Sequence, residues 1–143
     1  MPYTRVWIHF VWSTKNRKPV LVDSIRQKVF QHIKSNAAEK GIYLDSVNGY
    51  IEHVHCLVSL GTEQTIAKVM QLIKGESAFW VNKQNLIKDK LEWQDEYFAV
   101  SVSESNIEAV RNYIWNQEEH HKKKTYTEEY NEFISKYKFQ KFG

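Results

Sequence analysis

The sequence predicts an α+β domain built on a single antiparallel sheet. Three features predict it. Four short runs rich in β-branched and aromatic residues alternate with segments of helical periodicity. The length, 143 residues, is that of one domain. The composition, 42% hydrophobic and 26% charged, is that of a chain able to close around a core without a disulfide or metal staple.

Arg5 to Ser13 (RVWIHFVWS) reads as the first strand, because such residues fit a pleated, half-buried surface. Thr14 to Pro19 (TKNRKP) is a basic loop. Ser24 and Gln27 have capping-box spacing; Ile25, Val29, Ile33 and Ala37 then recur at helical intervals, and Gly41 is a natural stop. Ile42 to Tyr50 and Val54 to Leu60 read as two further strands. Ile66, Val69, Met70 and Ile73 mark a second amphipathic helix that runs into Lys74-Gly75 and beyond. Tyr97 to Val102 is the fourth strand. Ser105 with Glu108 is another capping box, opening a third helix that carries Ile107, Val110 and Ile114. From about residue 122 the chain becomes a Lys- and aromatic-rich basic tail with room for a short helix.

The first six elements spell the β-α-β-β-α-β order of ferredoxin-like and RRM-like folds. One antiparallel sheet with two helices on one face is expected. The third helix has no slot in that two-layer core and must dock elsewhere.

Composition narrows the function classes. The single cysteine, Cys56, excludes an intramolecular disulfide framework and a Cys-rich zinc site, and suits a reducing cytosol. No charged N-terminal region leads into a long apolar stretch, and no run approaches the ~20 apolar residues of a membrane span. A cytoplasmic protein of one domain, residues 1–143, is expected, with no membrane partner. The net charge of +3 is unevenly spread. Residues 1–40 hold eight Lys/Arg against two Asp/Glu, residues 41–121 six against twelve, and residues 122–143 six against three. Basic ends around an acidic middle suit a polyanion at the ends and a cation between them, although an unevenly charged solvated surface has the same signature.

Two motifs carry candidate chemistry. In His53-Val54-His55 the imidazoles lie two residues apart on a strand, so they project from one face as a ligand pair for a divalent metal. Tyr113 and Gln117 are spaced i, i+4 on the third helix, on the shoulder of its apolar stripe. Each alone has a plainer explanation, as an exposed His pair or as a packed Tyr and Gln. Together, two imidazole nitrogens and an amide oxygen leave positions open on an octahedral cation. A phosphate oxygen fills one, and a neighbouring tyrosine is then a natural nucleophile. The phenol's ordinary pKa near 10 calls for local positive charge or a base.

These residues resemble the tyrosine HUH transposases of the TnpA type, the small single-strand transposases of the insertion-sequence 200/605 group. The likeness runs through His9-Phe10-Val11, Thr14-Lys15-Asn16-Arg17-Lys18-Pro19, His53-Val54-His55 and Ile73-Lys74-Gly75. It continues through Trp93-Gln94, Tyr97, Ser101-Val102-Ser103, Tyr113-Ile114, Asn116-Gln117 and His120-His121. The resemblance implies a metal-dependent enzyme that cuts and rejoins single-stranded DNA carrying hairpin ends, through a 5′-phosphotyrosine, without ATP. It implies His53, His55 and Gln117 as ligands of Mg2+ or Mn2+ and Tyr113 as the nucleophile. It also implies a nucleoid-associated homodimer with typically composite sites, the histidine strand of one subunit facing the tyrosine helix of its partner; the sequence itself leaves open which subunit the helix serves. Two imidazoles favour manganese over magnesium.

Other candidates have milder readings. Glu52 is expected to face away from His53 by strand alternation. His120 and His121 fit either DNA phosphate or the helix C-terminus, and His9 fits a sheet-face histidine. Lys15, Arg17, Lys18, Lys122, Lys123 and Lys124 are candidate contacts to a phosphate backbone. The competing classes are a module that binds single-stranded nucleic acid without chemistry and a domesticated endonuclease acting on chromosomal repeat hairpins. The first lacks a clear RNP-type run of basic, glycine and aromatic residues and gives Tyr113 and Gln117 no role.

Overall fold

The computed structural model describes residues 1–141. Its elements are β1 (Trp7–Ser13), α1 (Asp23–Glu39), β2 (Tyr43–Gly49), β3 (His53–Ser59), α2 (Ile66–Lys83), β4 (Phe98–Val102), α3 (Ile107–Trp115), α4 (Gln117–His121) and α5 (Tyr126–Lys136). The four strands form one sheet in the order β2-β3-β1-β4, every pair antiparallel, as the element order predicts. No helix among the described residues is long and apolar enough to cross a membrane.

Strand alternation divides the sheet chemically. Ile8, Phe10 and Trp12 of β1 and Val54, Cys56 and Val58 of β3 point to one side, where Val29, Phe30 and Ile33 of α1 and Val69, Met70 and Ile73 of α2 complete the main core. Burial pushes the Cys56 thiol up, away from the reactive thiolate. The opposite side carries Trp7 and Leu57 against Ile107 and Ile114 of α3, a smaller apolar cluster. The third helix therefore does have a slot on its own chain: it packs across β2 and β3 on the face that α1 and α2 leave uncovered. Arg111 ties it down, donating from Nε and Nη2 to both oxygens of Asp45 at 2.9 and 2.8 Å. That fork holds the Asp45 carboxyl below its usual range.

Two predicted capping boxes do not form. Helix α1 begins at Asp23, so Ser24 lies inside its first turn, and the cap residue is Val22, with no side-chain bond. Before α3 a 3-10 turn, Glu104–Asn106, takes up Ser105, and Glu108 pairs with Arg111 instead. A complete box closes elsewhere: Thr125 Oγ1 accepts from the Glu128 N–H at 3.1 Å, and the Glu128 carboxylate accepts from the Thr125 N–H at 3.2 Å. The supposed tail thus becomes the well-started 11-residue helix α5.

The β2–β3 turn sets the position of the His53 backbone. A Cβ at Gly49 would overlap the His53 carbonyl, so only glycine permits the close approach. The Tyr50 N–H donates to that same carbonyl at 3.1 Å.

Candidate active site

The floor of the site comes from β1 and β3. His53 and His55 project together from β3, both fully buried, as period two requires. His9 lies on the same face of β1, and its Nε2 is 2.9 Å from His55 Nδ1. Glu52 does not face away. It sits in the turn before β3, outside the strand's alternation, and its Oε1 accepts from His53 Nδ1 at 2.7 Å.

The roof comes from α3, α4 and α5. Tyr113 and Gln117 do not share one helix, because the chain breaks at Asn116 (φ −95°, ψ 22°). Asn48 of β2 stabilises the break, donating from Nδ2 to the carbonyls of Ile114 and Trp115, each at 3.1 Å. A single residue in the bridge region leaves the i, i+4 relation intact: Gln117 Nε2 donates to the Tyr113 carbonyl at 3.1 Å. That bond turns the amide oxygen toward the histidines, 3.0 Å from His53 Nε2 and 3.1 Å from His121 Nε2. Glu118 fixes α4 to the body by accepting from the buried Arg26 at 2.6 Å.

Glu129 of α5 stands at the centre, and the sequence reading did not single it out. The residue is 1% exposed. Its Oε1 lies 3.1 Å from His55 Nε2 and 3.5 Å from His53 Nε2. Its Oε2 accepts the Tyr113 hydroxyl and lies 3.2 Å from His120 Nε2. The signal was present in the sequence: Tyr126, Glu129, Tyr130 and Phe133 occupy i, i+3, i+4 and i+7 of one face, a carboxylate set in an aromatic stripe. Tyr126 stacks on the His53 ring, centroids 4.3 Å apart.

Electrostatics follow from burial and from these contacts. Burial, aided by His55, lowers the His9 pKa to about 3. Burial lowers His55 to about 4, against the pull of Glu129. Both rings are neutral at pH 7. Burial works to raise the Glu129 pKa, but hydrogen bonds from His121 and His55 outweigh it and hold the carboxyl well below its usual range. Burial first, then the charge and hydrogen bond of Glu129, push the Tyr113 phenol far up; Gln117 opposes them.

The donor set fits a divalent cation. His53 Nδ1 is committed to Glu52, and His121 Nδ1 donates to the Lys124 carbonyl at 2.7 Å. Their Nε2 atoms therefore converge on the oxygens of Gln117 and Glu129, and only a proton or a cation between makes that arrangement attractive. Acceptors behind the rings are the usual support of metal-bound histidines. Neighbouring ligands on an octahedral ion with bonds of about 2.1 Å lie about 3 Å apart, close to the 3.0 Å between His53 Nε2 and Gln117 Oε1. His53, His55 and Glu129 lie within ligand-sharing distance of one another, as do His120, His121 and Glu129.

The six predicted basic contacts lie outside this cluster, and most are engaged. Lys15 pairs with Glu92 at 3.3 Å and Lys122 with Glu119 at 2.8 Å; Lys124 pairs with Glu132. Arg17, at φ 55° beside Asn16 at 58°, donates to Thr127 at 2.8 Å and lies over the Tyr126 and Tyr130 rings, tying the basic loop to α5. Lys18 and Lys123 are exposed and carry no ion pair among the described residues.

Comparison with known proteins identifies the family of the chain. The chain is 29% identical over 116 residues to the ISDra2 transposase TnpA of Deinococcus radiodurans, covering 76% of this chain and 81% of that one. Its fold matches a crystal structure described as a transposase of Deinococcus radiodurans R1, with TM-score 0.66 and 25% identity, over 81% of this chain and 93% of the other. It also matches the fold of a REP-associated tyrosine transposase bound to a REP hairpin, with TM-score 0.62 and 16% identity, over 85% and 72% of the two chains. Residues 2–117, from before β1 to the first residue of α4, match the family described as transposase IS200 like, and the chain belongs to that family.

Proposed function

We propose that the protein is a metal-dependent single-strand DNA transposase that cleaves and rejoins element ends through a phosphotyrosine on Tyr113. The observation that carries this is the convergence of His53, His55 and Gln117 within reach of the Tyr113 hydroxyl, in a chain of the IS200-like family. His53, His55 and Gln117 would hold Mg2+ or Mn2+, which when bound would supply Lewis-acid polarisation of the scissile phosphate.

The chain's own groups do the rest. Glu52 and His9 orient the two imidazoles from behind. Gln117 is locked to the Tyr113 carbonyl, so ligand and nucleophile move as one unit. Tyr113 oxygen attacks phosphorus, the P–O3′ bond breaks, and a free 3′-OH leaves. The incoming strand's 3′-OH then attacks the phosphotyrosine and releases the phenol, so the bond is conserved and ATP is not used. Glu129 accepts the Tyr113 hydroxyl in the DNA-free state and keeps it protonated. Attack on phosphorus requires the hydroxyl to leave this acceptor, so the Glu129 contact must open when DNA enters.

The relative bound to a REP hairpin supports hairpin-ended single-stranded DNA as the substrate class. Exposed Lys18 and Lys123 suit its backbone, and exposed Trp115 suits either base stacking or a homodimer contact. The hairpin-bound relative is also what favours the second reading, an endonuclease acting on chromosomal repeats.

The test is incubation with Mn2+ and single-stranded DNA spanning the candidate ends, followed by a denaturing gel. Wild type should give a covalent adduct, and Tyr113→Phe none. No adduct from the wild type with any end sequence would leave only a binding module.

A further inference from the structure

We propose that Glu129 is a fourth, anionic ligand of the metal site in the DNA-free enzyme, supplied by a helix that lies beyond the part of the chain matched to the family. The proposal rests on the metal-dependent function above. Glu129 falls outside residues 2–117.

Burying a carboxylate costs several kcal/mol unless charged or hydrogen-bonding partners compensate. This one is 1% exposed, and its surroundings are ligand atoms. Oε1 lies 3.1 Å from His55 Nε2 and 3.5 Å from His53 Nε2. Gln117 Oε1 lies 3.0 Å from the same His53 nitrogen. The four atoms form a continuous run in which each lies within 3.5 Å of the next, and His53, His55 and Glu129 lie within ligand-sharing distance of one another. Ligand-type atoms of three residues, two imidazole nitrogens and an amide oxygen, thus face the buried carboxylate from the sheet and from α4. A divalent cation balances the carboxylate's charge, and an oxygen anion beside two imidazoles and an amide suits Mn2+.

The approach of Glu129 is built, not incidental. The Thr125–Glu128 capping box fixes the start of α5. Tyr126 lies against His53, and Arg17 donates to Thr127 from the strained loop after β1. Three contacts therefore fix the first turn of α5, which carries the carboxylate.

The test uses the full chain without DNA and Mn2+ alone, with free Mn2+ followed by electron paramagnetic resonance. Glu129→Gln keeps shape and removes charge, and it should weaken Mn2+ binding by about 10-fold or more. Glu129→Asp, one methylene shorter, should also weaken it. Tyr113→Phe removes the partner of the other carboxylate oxygen but no ligand, and should bind within about 3-fold of wild type. Melting in the absence of metal shows that each variant is folded. Wild-type affinity in either folded Glu129 variant, while His55→Ala loses binding, overturns this inference and leaves the proposed function standing. Absence of Mn2+ binding in the wild type overturns both.

Discussion

The two faces of the sheet are made from the same residues of β1 and β3 taken alternately, yet they do opposite work. Even-numbered positions give an apolar face packed by α1 and α2. Odd-numbered positions give His9, His53 and His55, covered by α3, α4 and α5. Both faces are buried, but on one the strands' own side chains pack as apolar groups and on the other the histidines make directed polar contacts. The difference teaches that stability and the proposed chemistry are assigned to opposite strand parities, and that one-residue slippage of β3 would exchange Val54 for His53 and lose both.

The largest effect that would break this comparison is on metal binding. His55→Ala should lower Mn2+ affinity at least about 100-fold, because a proposed ligand and its link to His9 both go. Phe10→Ala, on the other face, should leave the Mn2+ affinity of the folded protein within a few-fold. If the two variants lose affinity alike, the faces are not separable.

Stability should reverse the ranking. Phe10 is fully buried in the main core, and truncation should cost about 3–5 kcal/mol in denaturant unfolding. Loss of the His55 ring should cost less than half as much without metal. Equal costs would contradict the division of labour.

Assembly offers a sharper test. Tyr113 and the His pair meet within one chain in this structure. Mixing His55→Ala with Tyr113→Phe should therefore restore no adduct formation. Recovery approaching half the wild-type yield would show that the tyrosine helix crosses to a partner.

The smallest effect is on pH dependence. The His9 and His55 pKa values, about 3 and 4 in the folded chain, lie below the unfolded value of 6.5. The unfolded chain therefore binds more protons than the folded one below pH 6.5. Stability of the metal-free protein should fall as pH drops from 6.5 toward 4, with no further loss from His55 below that. Melting temperature across this window checks it, and His9→Phe should flatten the slope. A wild-type melting temperature constant over the window would contradict burial of neutral rings.

Much of the fold was readable because alternation and helical periodicity are local. His53 and His55 were legible for the same reason: strand period two leaves little freedom. Gln117 was placed by helical spacing although the helix breaks at Asn116, because the break costs only one residue's geometry. Glu52 was misplaced because alternation was extended into a turn. Glu129 was not singled out because it reaches Tyr113 across 16 residues and lies in a segment read for its lysines. Its capping box and aromatic stripe were there to be read, but only packing against the histidine face gives them meaning. The docking of α3 on its own sheet was likewise a tertiary fact that no local pattern carried.

The most direct measurement of the central claim is the identity of the DNA-linked residue. Adduct formed with Mn2+ and single-stranded end DNA can be trypsinised and the nucleotide-bearing peptide read by mass spectrometry. The histidine-face account predicts a phosphodiester on Tyr113, lost in His55→Ala. Attachment at Tyr126 or Tyr130, or an adduct undiminished in His55→Ala, would contradict it.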